Sequence, residues 1–229
     1  MSNNSTALVI GASRGLGLAL AEEYLTRGWQ VIATTRSNSE GLDKLRQRFG
    51  VSLEIEQVDI IDVSSVRALR RRLDARELDT LFVNAGICKA NEFTPLQVAE
   101  KDYLDMLLTN ALSPMRVIEL FHDRVKVNGV VAAMSSELGS IADSTGVWAL
   151  YSSSKAALNM LMKSFHARHV EDTRALLLVA PGWVRTDMGS QDALLDVSES
   201  IPLVVDVVNR NAGVPGLRFI NRHGDELPW

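Results

Sequence analysis

Thr6-Ala-Leu-Val-Ile10-Gly11-Ala-Ser-Arg14-Gly15-Leu-Gly17 is the stretch whose reading decides the fold. Thr6–Ile10 is a short, almost wholly apolar run of the kind that forms a buried strand. Three glycines follow within seven residues, and then Leu18–Arg27 takes up a helical pattern. The first turn of a helix carries free N–H groups and the positive end of the helix dipole, so it attracts anions. Side chains at the three glycines would obstruct the tight turn, the approach of a phosphate to the backbone, or the packing of helix on strand. Strand, glycine turn and helix in this order form a seat for a dinucleotide pyrophosphate. The spacing is G-x-x-x-G-x-G, not the more general G-x-G-x-x-G.

The same alternation continues along the chain. Gln30–Thr34, Leu53–Val58, Asp79–Val83, Gly129–Met134, Arg174–Ala180 and a last run near Gly216–Ile220 read as further strands. Helical patterns separate them at 15–27, 39–49, 62–74, 96–126 and 150–169. Near-continuous apolar strands between helices indicate a parallel sheet covered on both faces. The reading is a single-domain α/β chain over 1–229, a doubly wound Rossmann fold of about seven strands, with no linker or repeat.

Composition narrows the function. A net charge of −4 gives no reason to expect nucleic acid or an anionic membrane as partner. The arginines of Arg67–Arg76 read as a solvated face at the end of a helix. One cysteine, Cys88, makes neither a disulfide framework nor a thiolate metal site, and it fits a reducing compartment. The first residues, MSNNSTALVIGAS, lack the pattern of a leader, so a cytoplasmic location is expected. His122, His166, His169 and His223 have no partners at metal-ligand spacing, and no G-x-S-x-G elbow is present.

The later landmarks are Asn84-Ala85-Gly86, Asn110, Ser135-Ser136, Tyr151-Ser-Ser-Ser-Lys155, Pro181-Gly182 and Thr186. In kind and in order, over nearly the whole chain, they resemble the short-chain dehydrogenase/reductase family. Met134-Ser-Ser-Glu-Leu-Gly-Ser-Ile141, the compact segment after Thr186 and the ending Gly224-Asp-Glu-Leu-Pro-Trp229 resemble its C-factor-like and sniffer-like carbonyl reductases. One departure is Val83, where the family often has a first asparagine before Asn84.

The cofactor choice is read from the end of the second strand. A carboxylate there accepts from the ribose hydroxyls of NAD and repels the 2′-phosphate of NADP. Thr35 stands at that position, Arg36 follows it, and Arg14 lies in the glycine loop, so NADP(H) is expected. The alternative is that these arginines hold no ligand. The resemblance implies a cofactor cradle of Gly11, Ser13, Arg14, Gly15, Leu16, Gly17, Thr35 and Arg36. It extends this through Asp59, Ile60, Asn84, Ala85 and Gly86 to Tyr151, Lys155, Pro181, Gly182, Val184 and Thr186. Asn84 also reads as a structural turn residue.

Tyr151 and Lys155 are four apart and share one helix face. Carbonyl reduction needs a proton for the developing alkoxide. A free phenol, at about 10, holds its proton firmly. The Lys155 ammonium and a positive nicotinamide ring are expected to lower that value. The resemblance gives Ser136 the task of orienting the substrate oxygen, with Ser135 and Ser140 as rivals that cap or pack. Ser136 precedes Tyr151 by 15 residues, an interval that implies a small insertion. Asn110 precedes Pro114 by four, so its carbonyl loses a helical donor and a kink is expected. The resemblance adds a proton-relay role for Asn110; the alternative is a plain irregularity.

These readings imply an NADPH-dependent reductase of a small, hydrophobic aldehyde or ketone, or an oxidant of the corresponding alcohol. The alternative is a nucleotide-binding signalling or redox-sensor protein of the C-factor type. Leu138, Trp148, Trp183 and Met188 are expected to flank the nicotinamide beyond the catalytic group as an apolar pocket, Asp187–Ile201 to cover the substrate, and Arg185 to be the cation able to bind an anionic substrate instead. Either tryptophan alternatively packs on a neighbouring subunit. The resemblance implies a homodimer or homotetramer through the helices at 96–126 and 150–169.

Overall fold

The computed structural model describes residues 5–90 and 92–229; Met1–Asn4, part of the stretch read above for a leader, lie outside them. Seven strands form the sheet: β1 Thr6–Ile10, β2 Gln30–Thr35, β3 Leu53–Gln57, β4 Leu78–Val83, β5 Val125–Met134, β6 Ala175–Ala180 and β7 Gly216–Asn221. Their order is β3-β2-β1-β4-β5-β6-β7, every pair parallel. The chain winds outward from β1 to β3, then crosses back to lay β4 on the other side of β1. Val9 therefore pairs with Ala33 on one side and with Phe82 on the other. This reversal opens a crevice at the carboxyl ends of β1 and β4, where open α/β sheets bind ligands.

The helices are α1 Gly15–Thr26, α2 Glu40–Phe49, α3 Val63–Arg72, α4 Glu100–Leu107, α5 Ser113–Phe121, α6 Ala149–Arg168 and α7 Val197–Arg210. Alternate strand residues divide between two cores, as the twofold period of a strand requires. Leu8, Ile10, Leu81 and Val83 face α3, α5 and α6, whereas Ala7, Val9, Ala33 and Phe82 face α1, α2 and α7. No helix among the described residues is long and apolar enough to cross a membrane.

Two expectations need correction and a third is extended. The segment assigned to a covering loop, 187–201, ends at Asp196, because α7 begins at Val197. Five valines, which favour strands, and Pro202 inside the helix hid it. The cue was present in Asp196-Val-Ser-Glu199, whose side chains form a reciprocal capping box. The helical pattern at 96–126 is shorter than expected, since residues from Val125 already belong to β5. Finally, the arginine run is a solvated face, with Arg67, Arg71, Arg72 and Arg76 exposed, but two of its members also tie elements together. Arg70 donates to the Leu120 carbonyl at 2.8 Å and to Asp123 at 2.9 Å, while Arg72 reaches Glu56 at 2.8 Å. These bonds tie α3 to α5 and β3.

Candidate active site

A cavity of about 1120 Å³ crosses the carboxyl ends of the strands. Pockets for drug-sized ligands measure roughly 300–1,000 Å³, so this one accommodates an extended molecule with room beside it. Gly11, Ser13, Arg14, Gly15, Leu16, Thr35, Arg36, Asp59 and Ile60 line one end. Asn84, Ala85 and Gly86 lead to the other, where Ser136, Tyr151, Lys155, Pro181, Gly182, Val184 and Thr186 stand. Of the residues singled out in the sequence for chemistry or cofactor, Gly17 and Asn110 alone lie behind this wall.

The glycine turn is locked by close approach. Gly11 has a φ of +83°, and a Cβ there would come within 2.8 Å of the Ala85 backbone. A Cβ on Gly17 would meet the Gly11 carbonyl oxygen at 2.0 Å and Asn84 Nδ2 at 2.5 Å. Asn84 Nδ2 donates to that same carbonyl at 2.9 Å, so β4 holds the turn from below. Asn84 is thus a structural turn residue that also faces the cavity. The amide of Gly11 is taken by Thr34 Oγ1 at 3.0 Å.

At the end of β2, the Thr35 hydroxyl is engaged locally, donating to the Ser37 carbonyl at 2.6 Å. Arg36 is exposed on the cavity rim and forms no ion pair among the described residues. Arg14 meets Asp187 at 3.1 Å, with both side chains more than three-quarters exposed. A pair so exposed is worth at most about 1 kcal/mol, so a phosphate can displace it. Asp59 Oδ1 accepts from the Ile61 amide at 3.2 Å, which shapes the turn after β3.

At the opposite end, α6 presents Tyr151 and Lys155 on one face, as their spacing requires; both are more than nine-tenths buried. Lys155 Nζ donates to the Met134 carbonyl at 2.9 Å. An ammonium has three donors, so this buried group has capacity left for a ligand in the cavity. Burial pushes Lys155 down to about 8. Among the protein's own groups, the expected lowering of Tyr151 is outweighed. Burial pushes its phenol well above the ordinary value, against a small opposite pull from Ser136. A fully protonated phenol is the form that donates a proton, which suits reduction. Cys88 lies close enough to perturb both groups, but burial pushes its thiol up to about 11.

The rival serines separate clearly. Ser135 is buried and donates to Asn159 Oδ1 at 2.7 Å, while Ser140 is buried and accepts from the Asp143 amide at 3.1 Å. Ser135 and Ser136 both line the cavity, but Ser136 is less buried, accepts from the Leu138 amide at 3.2 Å and keeps its hydroxyl proton uncommitted among the described residues. The long interval before Tyr151 is taken up by a tight turn at Glu137–Gly139 and a loop to Trp148. Trp148 holds a left-handed φ of 49° directly before α6 and packs edge-on against Tyr151, with ring centroids 6.1 Å apart. Asn159 was not singled out in the sequence, though it lies four beyond Lys155 on the same helix face. It joins Ser135 to the Gly139 carbonyl, which it reaches at 3.2 Å, and so anchors the turn carrying Ser136.

The kink expected near Asn110 is a π-helical turn, Leu108–Leu112, between α4 and α5. Asn110 is fully buried; it donates to the Ile87 carbonyl at 2.8 Å and to Ser154 Oγ at 3.0 Å, and it accepts from the Ile87 amide at 2.8 Å. It staples the strand exit after Gly86 to α6, which makes it a positioning residue.

Leu138, Trp148, Trp183 and Met188 line the end beyond Ser136, joined by Ile87 and Val147, which sequence reasoning missed. Arg185 does not reach it: its guanidinium donates to Asp196 at 2.7 Å and to the Ala193 carbonyl at 2.7 Å, away from the cavity wall. The expectation of Arg185 as an anion-binding group is corrected by that pairing.

The family model described as short chain dehydrogenase matches residues 5–196. A short-chain dehydrogenase/reductase from Burkholderia multivorans, solved with bound NADP, is 45% identical; the match covers 99% of this chain and 100% of that one, with a TM-score of 0.97. A carbonyl reductase from Pseudomonas aeruginosa PAO1 in complex with NADP is 38% identical over 98% of this chain and 99% of that one, at a TM-score of 0.91. The C-signal protein of Myxococcus xanthus is 33% identical over 171 residues, which is 72% of this chain and 100% of that protein. With these matches, and with its landmarks gathered on one cavity, the chain belongs to the short-chain dehydrogenase family of oxidoreductases.

Proposed function

We propose that the protein is an NADP(H)-dependent carbonyl reductase acting on small, largely apolar aldehydes or ketones. The observation that carries this reading is the meeting of Ser136, Tyr151 and Lys155 at one end of a cavity whose other end is the glycine turn flanked by Arg14 and Arg36. Gly11–Leu16 would receive the pyrophosphate, Arg36 and Arg14 the 2′-phosphate, Asp59 and Ile60 the adenine, and Asn84–Gly86 the adenosine ribose. Pro181, Gly182, Val184 and Thr186 would enclose the nicotinamide half. When bound, the nicotinamide supplies hydride to the carbonyl carbon or accepts it from the alcohol. Tyr151 gives its phenolic proton to the carbonyl oxygen, Ser136 orients that oxygen, and Lys155 holds the nicotinamide ribose. Asn110 keeps the strand exit and α6 in register for these groups.

The likeness to C-signal raises a second reading, a protein that binds nucleotide and signals with little turnover. The complete set of Ser136, Tyr151 and Lys155 favours turnover. A redox-sensor role is disfavoured by Cys88, since a thiol pushed up to about 11 stays neutral and slow to oxidise. A homodimer or homotetramer is supported by Leu104 on α4 and Met160 on α6, which are 60% and 64% exposed on the helices expected to pair.

The test is consumption of NADPH with a panel of aromatic aldehydes and diketones, using the wild type and Tyr151→Phe. Turnover on apolar carbonyls that collapses in Tyr151→Phe, with cofactor binding retained, supports the reading. Near-normal turnover in that variant overturns it.

A further inference from the structure

Three segments wall the cavity beyond Ser136: the connection from β4 into α4, the turn after β5, and the connection from β6 towards α7. The cations they bring to the wall are already neutralised. Lys89 Nζ donates to Asp102 at 2.9 Å and to Asp105 at 2.8 Å, and Lys101 holds Asp105 at 2.7 Å. The carboxylates are not matched in the same way. Glu92, Glu137 and Asp192 line this wall and form no ion pair among the described residues. A concave mouth with low-dielectric walls focuses such a field instead of dispersing it.

Glu137 lies nearest the chemistry. It follows Ser136 directly, opens the tight turn that the Ser136 hydroxyl caps, and has an exposed side chain. It lines the same cavity as Ser136 and Tyr151 and is the unpaired carboxylate next in the chain to the residue that orients the carbonyl oxygen. Aromatic surface adds an independent pointer to the same ligand chemistry. Trp148 and Trp183 line this end, and the Trp183 indole N–H is already donated to the Gly189 carbonyl at 2.7 Å. What Trp183 offers a ligand is therefore its π face, and tryptophan faces and carboxylates both attract ammonium groups.

We propose that Glu137 is a specificity-determining residue that selects carbonyl substrates bearing a cationic ammonium group a few bonds from the carbonyl. This rests on the carbonyl-reductase reading and narrows its substrate class. With the carbonyl oxygen held by Ser136 and Tyr151, the ammonium group lies against Glu137 and its alkyl substituents against the tryptophans. A carboxylate in that place would meet Glu137, while the two lysines that these segments bring to the wall, Lys89 and Lys101, are already paired with Asp102 and Asp105.

The experiment compares three benzaldehydes of similar size, para-substituted with trimethylammonio, tert-butyl or carboxylate. Reduction by NADPH is measured at low ionic strength for the wild type, Glu137→Gln and Glu137→Asp. Binding of the corresponding benzyl alcohols to the NADP⁺-loaded protein is measured in parallel by calorimetry. The expected kcat/KM for the cationic aldehyde exceeds that for its neutral isostere by about fivefold, with the carboxylate lowest. That ratio should shrink towards one in Glu137→Gln and survive in part in Glu137→Asp. A cationic aldehyde no better than its isostere, or a ratio unchanged in Glu137→Gln, overturns the proposal. If none of the aldehydes is reduced, the carbonyl-reductase reading fails and the alcohol affinities decide. The same order, lost in Glu137→Gln, upholds the role of Glu137, and no order overturns it.

Discussion

Thr35 and Arg36 carry the choice between the two nicotinamide cofactors. Thr35 leaves no carboxylate to repel a phosphate, and Arg36 reaches the rim without a competing ion pair among the described residues. Arg36→Ala is expected to weaken NADP(H) by about 1.5–3 kcal/mol and NAD(H) much less. Thr35→Asp should shift preference towards NAD(H); fluorescence titration with both cofactors checks the pair, and equal affinities in the wild type contradict it. Lys155 supplies a second residue-scale test. Burial lowers it from the ordinary lysine range to about 8, so its ammonium is present below that pH and lost as pH rises through it. Cofactor affinity is therefore expected to decline above about pH 8, well before an ordinary lysine at about 10.4 would titrate. A flat affinity profile into that higher range would show that Lys155 does not contribute its charge.

At the scale of elements, the π-helical turn between α4 and α5 and the capped start of α7 are the features that position the site. Asn110→Ala would leave the Ile87 amide and carbonyl without their side-chain partner inside the wall. A cost of about 2 kcal/mol or more in stability is expected, with turnover falling further than cofactor affinity. Chemical denaturation and steady-state kinetics on one preparation separate the two effects. Asp196 both caps α7 and holds Arg185 at 2.7 Å, fixing the segment that runs over the cavity. Asp196→Ala should lower the Tm by roughly 2–4 °C for a chain of this size. An unchanged melting curve would mean that the cap contributes nothing. The π turn was foreshadowed by Asn110 and Pro114. α7 was missed because a sequence window weighs its valines as strand formers, whereas burial of Val204, Val205, Val207 and Val208 against the sheet decides in favour of the helix.

At the scale of the molecule, the proposed pairing through α4 and α6 predicts that Leu104→Glu with Met160→Glu converts the native oligomer to a monomer in sedimentation. Unchanged assembly would place the interface elsewhere. The sequence by itself determined the parallel seven-stranded sheet, the glycine seat, and the shared face of Tyr151 and Lys155. Each of these follows from local physics: strand period, helix period, and the steric demand of a phosphate on a helix N-terminus. Tertiary structure alone decided which serine hydroxyl is committed to Asn159, that Arg185 turns away to Asp196, and that Arg70 and Arg72 bind α3 to its neighbours. It also set the burial that raises Tyr151 and lowers Lys155. Those outcomes depend on partners distant along the chain and on desolvation, and a side chain acquires both only when the sheet and its helices close around it.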